Sequence, residues 1–124
     1  MNSSARILIV DDERDFTLTL AAILRQHGFE VEEAENTEQA FVKIEPFDPH
    51  VVLLDIFMPG TAGSEVLKEL KDWKPAMEII MVTSAISEDV KTECLSNGAF
   101  EVMGKPVETA DLKATIDNAL AKHG

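Results

Sequence analysis

Apolar residues recur along this chain with two alternating periods. Continuous apolar runs occupy residues 7–10, 51–54 and 79–82, and two weaker runs, 29–33 and 100–103, carry polar residues inside them. Runs this short, rich in Val and Ile, read as strands. Between them the spacing is helical. A first helix is predicted over about 14–27, with Phe16, Leu20, Ile23 and Leu24 on one face. Gly28 is its stop, because glycine accepts the left-handed conformation that follows a helix end. A second spans about 37–45, packs through Ala40, Phe41 and Ile44, and is ended by Pro46 and Pro49. A third spans about 64–73 with Val66, Leu67 and Leu70 inward, and a fourth about 88–97 before Gly98. A fifth spans about 109–122 with Leu112, Ile116, Ala119 and Leu120 inward.

Strand followed by helix, five times over, implies an α/β fold: a doubly wound parallel sheet covered by helices on both faces. Strands buried on both faces read as continuous apolar runs. The first, third and fourth do so and belong at the centre; the second and fifth belong at the edges. The order 2-1-3-4-5 satisfies this and puts the topological switch point between strands one and three.

The 124 residues make one compact domain, with residues 6–122 as its core. With 45% hydrophobic residues the chain fills a core without disulfides or a structural metal. Its single cysteine, Cys94, reads as a small buried apolar residue and suits a reducing, cytoplasmic setting. His27, His50 and His123 lie far apart and show no metal-ligand spacing. No apolar run is long enough for a membrane span or a signal-peptide core. The formal charge of −12, from 23 acidic and 11 basic residues, repels phosphate backbones and anionic membranes. Direct binding to nucleic acid or membrane is therefore not expected.

In sheets of this kind, sites form at the carboxyl ends of the strands. Strand one ends in Asp11-Asp12, strand three in Asp55, strand four in Thr83-Ser84, and strand five in Lys105 between Gly104 and Pro106. Each has an ordinary explanation. Asp11 or Asp12 could cap the first helix, and Asp55 could be a turn residue. Thr83 could be a plain β-branched strand residue, and Lys105 a solvated lysine. Together, at one edge of one sheet, they are better explained by one shared site. Three neighbouring carboxylates repel one another unless a cation lies between them or one takes a proton. Oxygen ligands without His or Cys suit Mg²⁺ or Mn²⁺. Such an ion shields an incoming phosphoryl group, Lys105 adds a positive charge, and Thr83 offers a hydroxyl donor. A carboxylate that attacks phosphorus becomes an acyl phosphate.

With these residues in place, the chain resembles the receiver domain of two-component response regulators, a flavodoxin-like fold. The resemblance is carried by Ile-Leu-Ile-Val-Asp11-Asp12-Glu13, by Val-Val-Leu-Leu-Asp55-Ile-Phe-Met58-Pro59-Gly60 with Gly63, by Val82-Thr83-Ser84-Ala85, and by Gly98-Ala99 leading to Lys105-Pro106. It implies that Asp55 is the phosphoacceptor. It also implies that Asp12 and Asp55 ligate Mg²⁺ directly and that Asp11 does so directly or through water. The backbone carbonyl of Phe57 is a further implied ligand. Thr83 and Lys105 are the implied phosphoryl-binding hydroxyl and ammonium, and the Lys105–Pro106 peptide resembles one that is cis in the family. One position departs. The family often has a rotating Tyr or Phe three residues before the strand-five lysine, where this chain has Val102. By alternation Phe100 shares a strand face with Val102. Either Phe100 substitutes weakly or the switch is read through the loop after Thr83. Phe57 and Ala85, two positions after Asp55 and Thr83, flank the path of attacking water, and a bulky Phe57 implies a long-lived phosphoform.

Three functions compete. The first is a signalling switch, not an enzyme, that takes its phosphoryl group from a sensor histidine kinase or a phosphotransfer protein. A downstream protein or effector domain would read its state. The second is an aspartyl-phosphate enzyme, disfavoured because Phe57 stands where such hydrolases commonly place a second Asp. The third is a binding module without phosphorylation, disfavoured by the complete acidic cluster. By analogy, the face built from helix four, strand five and helix five is where a dimer or partner is expected. A stand-alone regulator and the receiver part of a longer protein both remain open.

Overall fold

The structure, a computed structural model, describes residues 5–55, 57–58 and 61–122, of which 57, 58, 61 and 62 are described through their backbone. Five parallel strands form the sheet: β1 (Arg6–Val10), β2 (Glu30–Ala34), β3 (Val51–Leu54), β4 (Glu78–Thr83) and β5 (Glu101–Gly104). They pair in the order β2-β1-β3-β4-β5. The interleaved helices are α1 (Arg14–Gln26), α2 (Thr37–Phe47), α3 (Gly63–Trp73), α4 (Glu88–Ser96) and α5 (Thr109–Ala121). A two-stranded antiparallel ribbon, Phe57–Met58 with Thr61–Ala62, joins β3 to α3.

The predicted order and the central placement of strands one, three and four both hold. Every residue of β3 and β4 is buried, whereas β2, at an edge, turns only Val31 and Ala34 inward. The sheet separates two apolar clusters. Leu8, Val10, Val52, Leu54, Ile79 and Met81 pack with α2, α3 and α4, whereas Ile7, Ile9, Val51, Leu53, Ile80 and Val82 pack with α1 and α5. Alternation along each strand thus feeds both layers, which is why the apolar runs are unbroken.

Helix ends follow local chemistry. Asn36 Oδ1 accepts the Gln39 amide at 2.8 Å and Gln39 Oε1 accepts the Glu35 amide at 2.9 Å, a reciprocal cap that starts α2. Ser87 Oγ accepts the Val90 amide at 3.2 Å and starts α4. Gly98 follows α4 with φ +107°, and a Cβ there would sit 3.0 Å from Cγ of Lys71, so both conformation and space require glycine.

Two expectations are corrected. Pro46 does not end α2: it lies inside the last turn, and the helix runs to Phe47, with Asp48 in the left-handed region at φ 52°. The proline denies only one amide to the ladder, and the carbonyl four residues back belongs to Val42, a residue that is 70% exposed. Asp48 then closes the helix by donating its amide to the Ile44 carbonyl at 2.8 Å. Secondly, Phe100 does not share a face with Val102. Val102 is buried in the cluster under α2, α3 and α4, while Phe100 packs on the α1–α5 side. Phe100 precedes the strand, in a bend, where two-residue alternation no longer fixes side-chain direction.

Candidate functional site

The sheet ladder itself places the polar residues. Beyond β1, β3 and β5 the parallel pairing continues by one residue. The Asp11 amide donates to the Ala34 carbonyl (3.0 Å), the Asp55 amide to the Val10 carbonyl (3.0 Å), and the Lys105 amide to the Thr83 carbonyl (2.7 Å). Asp11, Asp55 and Lys105 are therefore fixed at one edge of the sheet by backbone bonds, whatever their side chains do.

Their side chains converge. Asp11, Asp12 and Asp55 each offer a carboxylate oxygen, and the three oxygens lie within 4.8 Å of one another. Asp11 and Asp55 are buried and Asp12 is exposed. Two unit charges at that spacing repel by about 3 kcal/mol at an effective dielectric of about 20. Burial, helped by the Asp55 charge, pushes the Asp11 carboxyl above its ordinary range against the pull of Lys105 and the Glu13 amide. Hard oxygen donors gathered at this spacing, two of them on buried residues, fit a small divalent cation.

Lys105 crosses from the end of β5 with a side chain only 10% exposed. Its Nζ donates to Asp11 Oδ2 at 2.7 Å, contacts Glu13 Oε1, and lies 3.6 Å from Asp55 Oδ2. The Phe16 ring is 4.4 Å from the ammonium. Burial pulls the ammonium pKa down, but the hydrogen bonds to Asp11 and Glu13 and the charges of Asp11 and Asp55 outweigh it and hold it above its ordinary value. The Lys105–Pro106 peptide is cis, as expected.

Thr83 is fully buried at the end of β4, opposite Gly104 in register and so next to Lys105. Its Oγ1 accepts the Ala85 amide at 3.1 Å, which ties the following loop to the hydroxyl. Phe57 begins the ribbon after β3, its backbone opposite Ala62. Pro59 and Gly60 of the motif lie outside the described residues.

Two neighbours of Lys105 were not foreseen. Phe16 was read as a core residue of α1, and helical periodicity cannot show that its ring face meets an ammonium. Glu13 was quoted only as part of a motif. It is the N-cap residue of α1 and makes no side-chain cap hydrogen bond; Asp11 Oδ1 instead accepts the Glu13 amide at 2.9 Å. Neither Asp11 nor Asp12 is the N-cap residue itself. The only signal in the sequence was a third acid directly after Asp11-Asp12.

A doubly wound sheet with an acidic cluster and a lysine at its switch point defines a class of phosphoacceptor domains. Comparison with known proteins makes the class specific. The family model of the response regulator receiver domain matches residues 7–117. The chain is 38% identical over 120 residues to the phosphate regulon transcriptional regulatory protein PhoB of Pseudomonas aeruginosa, covering 95% of this chain and 52% of that protein. It is 39% identical over 119 residues to protein PilH of the same organism, covering 94% of this chain and 98% of that one. A CheY-like receiver domain protein from Methanospirillum hungatei superposes with a TM-score of 0.91 at 35% identity, covering 97% of this chain and 96% of that one. The chain belongs to the response regulator receiver domain family, the phosphoacceptor switches of two-component signalling. It spans about half to a quarter of the length of several curated relatives that it matches.

Proposed function

We propose that Asp55 is the acceptor through which this regulatory domain takes up its phosphoryl group. Asp11, Asp12, Asp55 and the Phe57 backbone carbonyl would hold Mg²⁺, or Mn²⁺ in its place. Thr83 and Lys105 would receive the phosphoryl oxygens. The supporting observation is that carboxylates from two adjacent strand ends meet one nearly buried ammonium. A bound divalent ion supplies charge neutralisation there. The chain's residues do the rest. A carboxylate oxygen of Asp55 forms an O–P bond as the donor's bond to phosphorus breaks: P–N in a phosphohistidine, P–O in an acyl phosphate. The donor leaves with the bonding electrons. Lys105 Nζ then donates to a phosphoryl oxygen, a charge-assisted bond. Phosphate incorporation from acetyl phosphate, with Mg²⁺ and with chelator, tests the assignment.

The state is relayed through the loop after Thr83. Thr83 Oγ1 holds the Ala85 amide, so turning this hydroxyl toward Asp55 disturbs that bond. Further along, Ile86 packs against Gly104, beside Lys105; a Cβ on Gly104 would be 3.1 Å from Ile86 Cγ2. With valine at 102 and Phe100 on the opposite layer, this loop is the route that remains. From its sequence position two residues after Asp55, Phe57, whose side chain lies outside the described residues, is expected to set the lifetime by hindering attacking water. Phe57→Asn is expected to shorten the phosphoform half-life severalfold, measured as loss of the acid-labile phosphate; a half-life equal to the parent's counts against this role.

The donor is a sensor histidine kinase or a phosphotransfer protein, and a downstream protein or effector domain reads the result. The face of α4, β5 and α5, where Val102, Met103, Pro106 and Val107 lie among Lys91, Glu101, Glu108 and Asp111, suits a partner or a second copy. Among the described residues no helix is long and apolar enough to cross a membrane. We place residues 1–124 as a single domain in the cytoplasm, which its lone cysteine suits, and its net charge of −12 disfavours direct contact with nucleic acid or anionic membrane.

A further inference from the structure

We propose that Glu13 is a positioning residue for phosphoryl binding: it holds the Lys105 ammonium on the α1 side of the site, and Lys105 must leave it to reach a phosphoryl oxygen. This rests on the assignment of Asp55 as acceptor. An ammonium has three N–H donors. Here Asp11 and Glu13 take hydrogen bonds, while Asp55 Oδ2, at 3.6 Å, lies beyond hydrogen-bond range. The site's buried cation is therefore hydrogen-bonded to these two acids and only ion-paired with the acceptor.

The two acids that hold it differ. Asp11 is one of the three clustered carboxylates, and a divalent ion there competes with Lys105 for it. Glu13 is not part of that cluster. It remains available to Lys105 when Asp11 is engaged. Its side chain is 60% exposed, makes no cap for α1 and contacts Lys105 instead. Exposed ion pairs are weak. The hold therefore biases the lysine without trapping it. A phosphoryl group brings about 1.5 to 2 negative charges and outbids a single exposed carboxylate.

Beryllofluoride, a phosphoryl mimic, tests this when titrated calorimetrically at saturating Mg²⁺ into the full chain. Glu13→Gln leaves Lys105 only a neutral acceptor in place of a carboxylate, so it holds the lysine less strongly and is expected to bind the mimic about two- to fivefold more tightly, the range that exposed ion pairs span. Glu13→Asp separates contact from charge: it keeps the negative charge, but its carboxylate is one methylene too short to reach Nζ. It is expected to behave like Glu13→Gln. Unchanged or weaker binding in Glu13→Gln overturns the proposal. So does parent-like binding in Glu13→Asp, which would mean plain charge repulsion. Asp55→Ala is the separate control. Binding by the parent that survives Asp55→Ala removes the acceptor assignment and this inference together, whereas equal affinities across the position-13 variants remove this inference alone.

Discussion

Asp55→Asn is expected to reduce phosphate incorporation to the background of a chain with no acceptor. Incubated with Mg²⁺ and acetyl phosphate, the parent should gain the mass of one phosphate, and the variant none. Chelator should suppress the gain in the parent. The loss is chemical and not structural. An amide oxygen is a far poorer nucleophile than a carboxylate and cannot form a stable acyl phosphate. Asparagine keeps the shape of the side chain, and the backbone bond from residue 55 to the Val10 carbonyl is untouched. It also removes one of three mutually repelling charges. The circular dichroism spectrum should match the parent's, and the melting temperature should not fall. Undiminished uptake by a folded Asp55→Asn chain would move the acceptor elsewhere and defeat the central assignment.

The largest effect on stability is expected at the opposite end of the sheet. Glu78 opens β4 with a side chain only 2% exposed. Lys71 of α3 lies 3.6 Å from one of its carboxylate oxygens, and Lys122, just past α5, lies 3.4 Å from the other. Lys71 also donates to the Pro75 and Met77 carbonyls, at 2.8 and 3.1 Å. Lys71→Met keeps the aliphatic stem that packs by Gly98 but deletes the charge. A buried carboxylate then loses its more enclosed counter-charge, and two carbonyls lose a donor. The expected cost is about 2–3 kcal/mol, below the usual cost of breaking a buried pair because Lys122 remains. Urea denaturation followed by circular dichroism measures it. Removing the acid as well, in Lys71→Met/Glu78→Gln, should recover much of the loss, because no uncompensated charge stays inside. A single-variant cost under about 0.5 kcal/mol, the size of an ordinary surface change, would show that Glu78 does not depend on Lys71.

The fold was legible in the sequence where burial leaves a mark on composition. Val51–Leu54 could only be a strand covered on both sides, and Val31 with Ala34 among acids could only be an edge. The acidic site was legible because parallel strands deliver their ends to one place, so Asp11 and Asp55 meet although 44 residues apart. What depended on local geometry was not. Pro46 looked like a stop because a proline's cost depends on where in the helix it falls. Phe100 was assigned to the wrong layer because it stands just outside the strand whose alternation was extended to it. Glu13 was passed over because its partner is 92 residues away, and no periodicity links an N-cap residue to a lysine beyond the last strand.

Trp73 gives the molecule a use that its signalling chemistry does not suggest. It is the only tryptophan in a chain without tyrosine. Its ring stacks on Phe41 at 5.7 Å, tying α3 to α2, and lies 5.2 Å from the Lys74 ammonium. Trp73, the last residue of α3, lines a hollow with Pro49, His50 and Met77, which precede β3 and β4, so it sits at the end of the sheet away from Asp55. Intrinsic fluorescence therefore comes from a single indole remote from the phosphoryl site. Its emission should change sharply when α2 and α3 come apart on unfolding and hardly at all when Asp55 is modified, so stability can be followed optically in either signalling state without added dye.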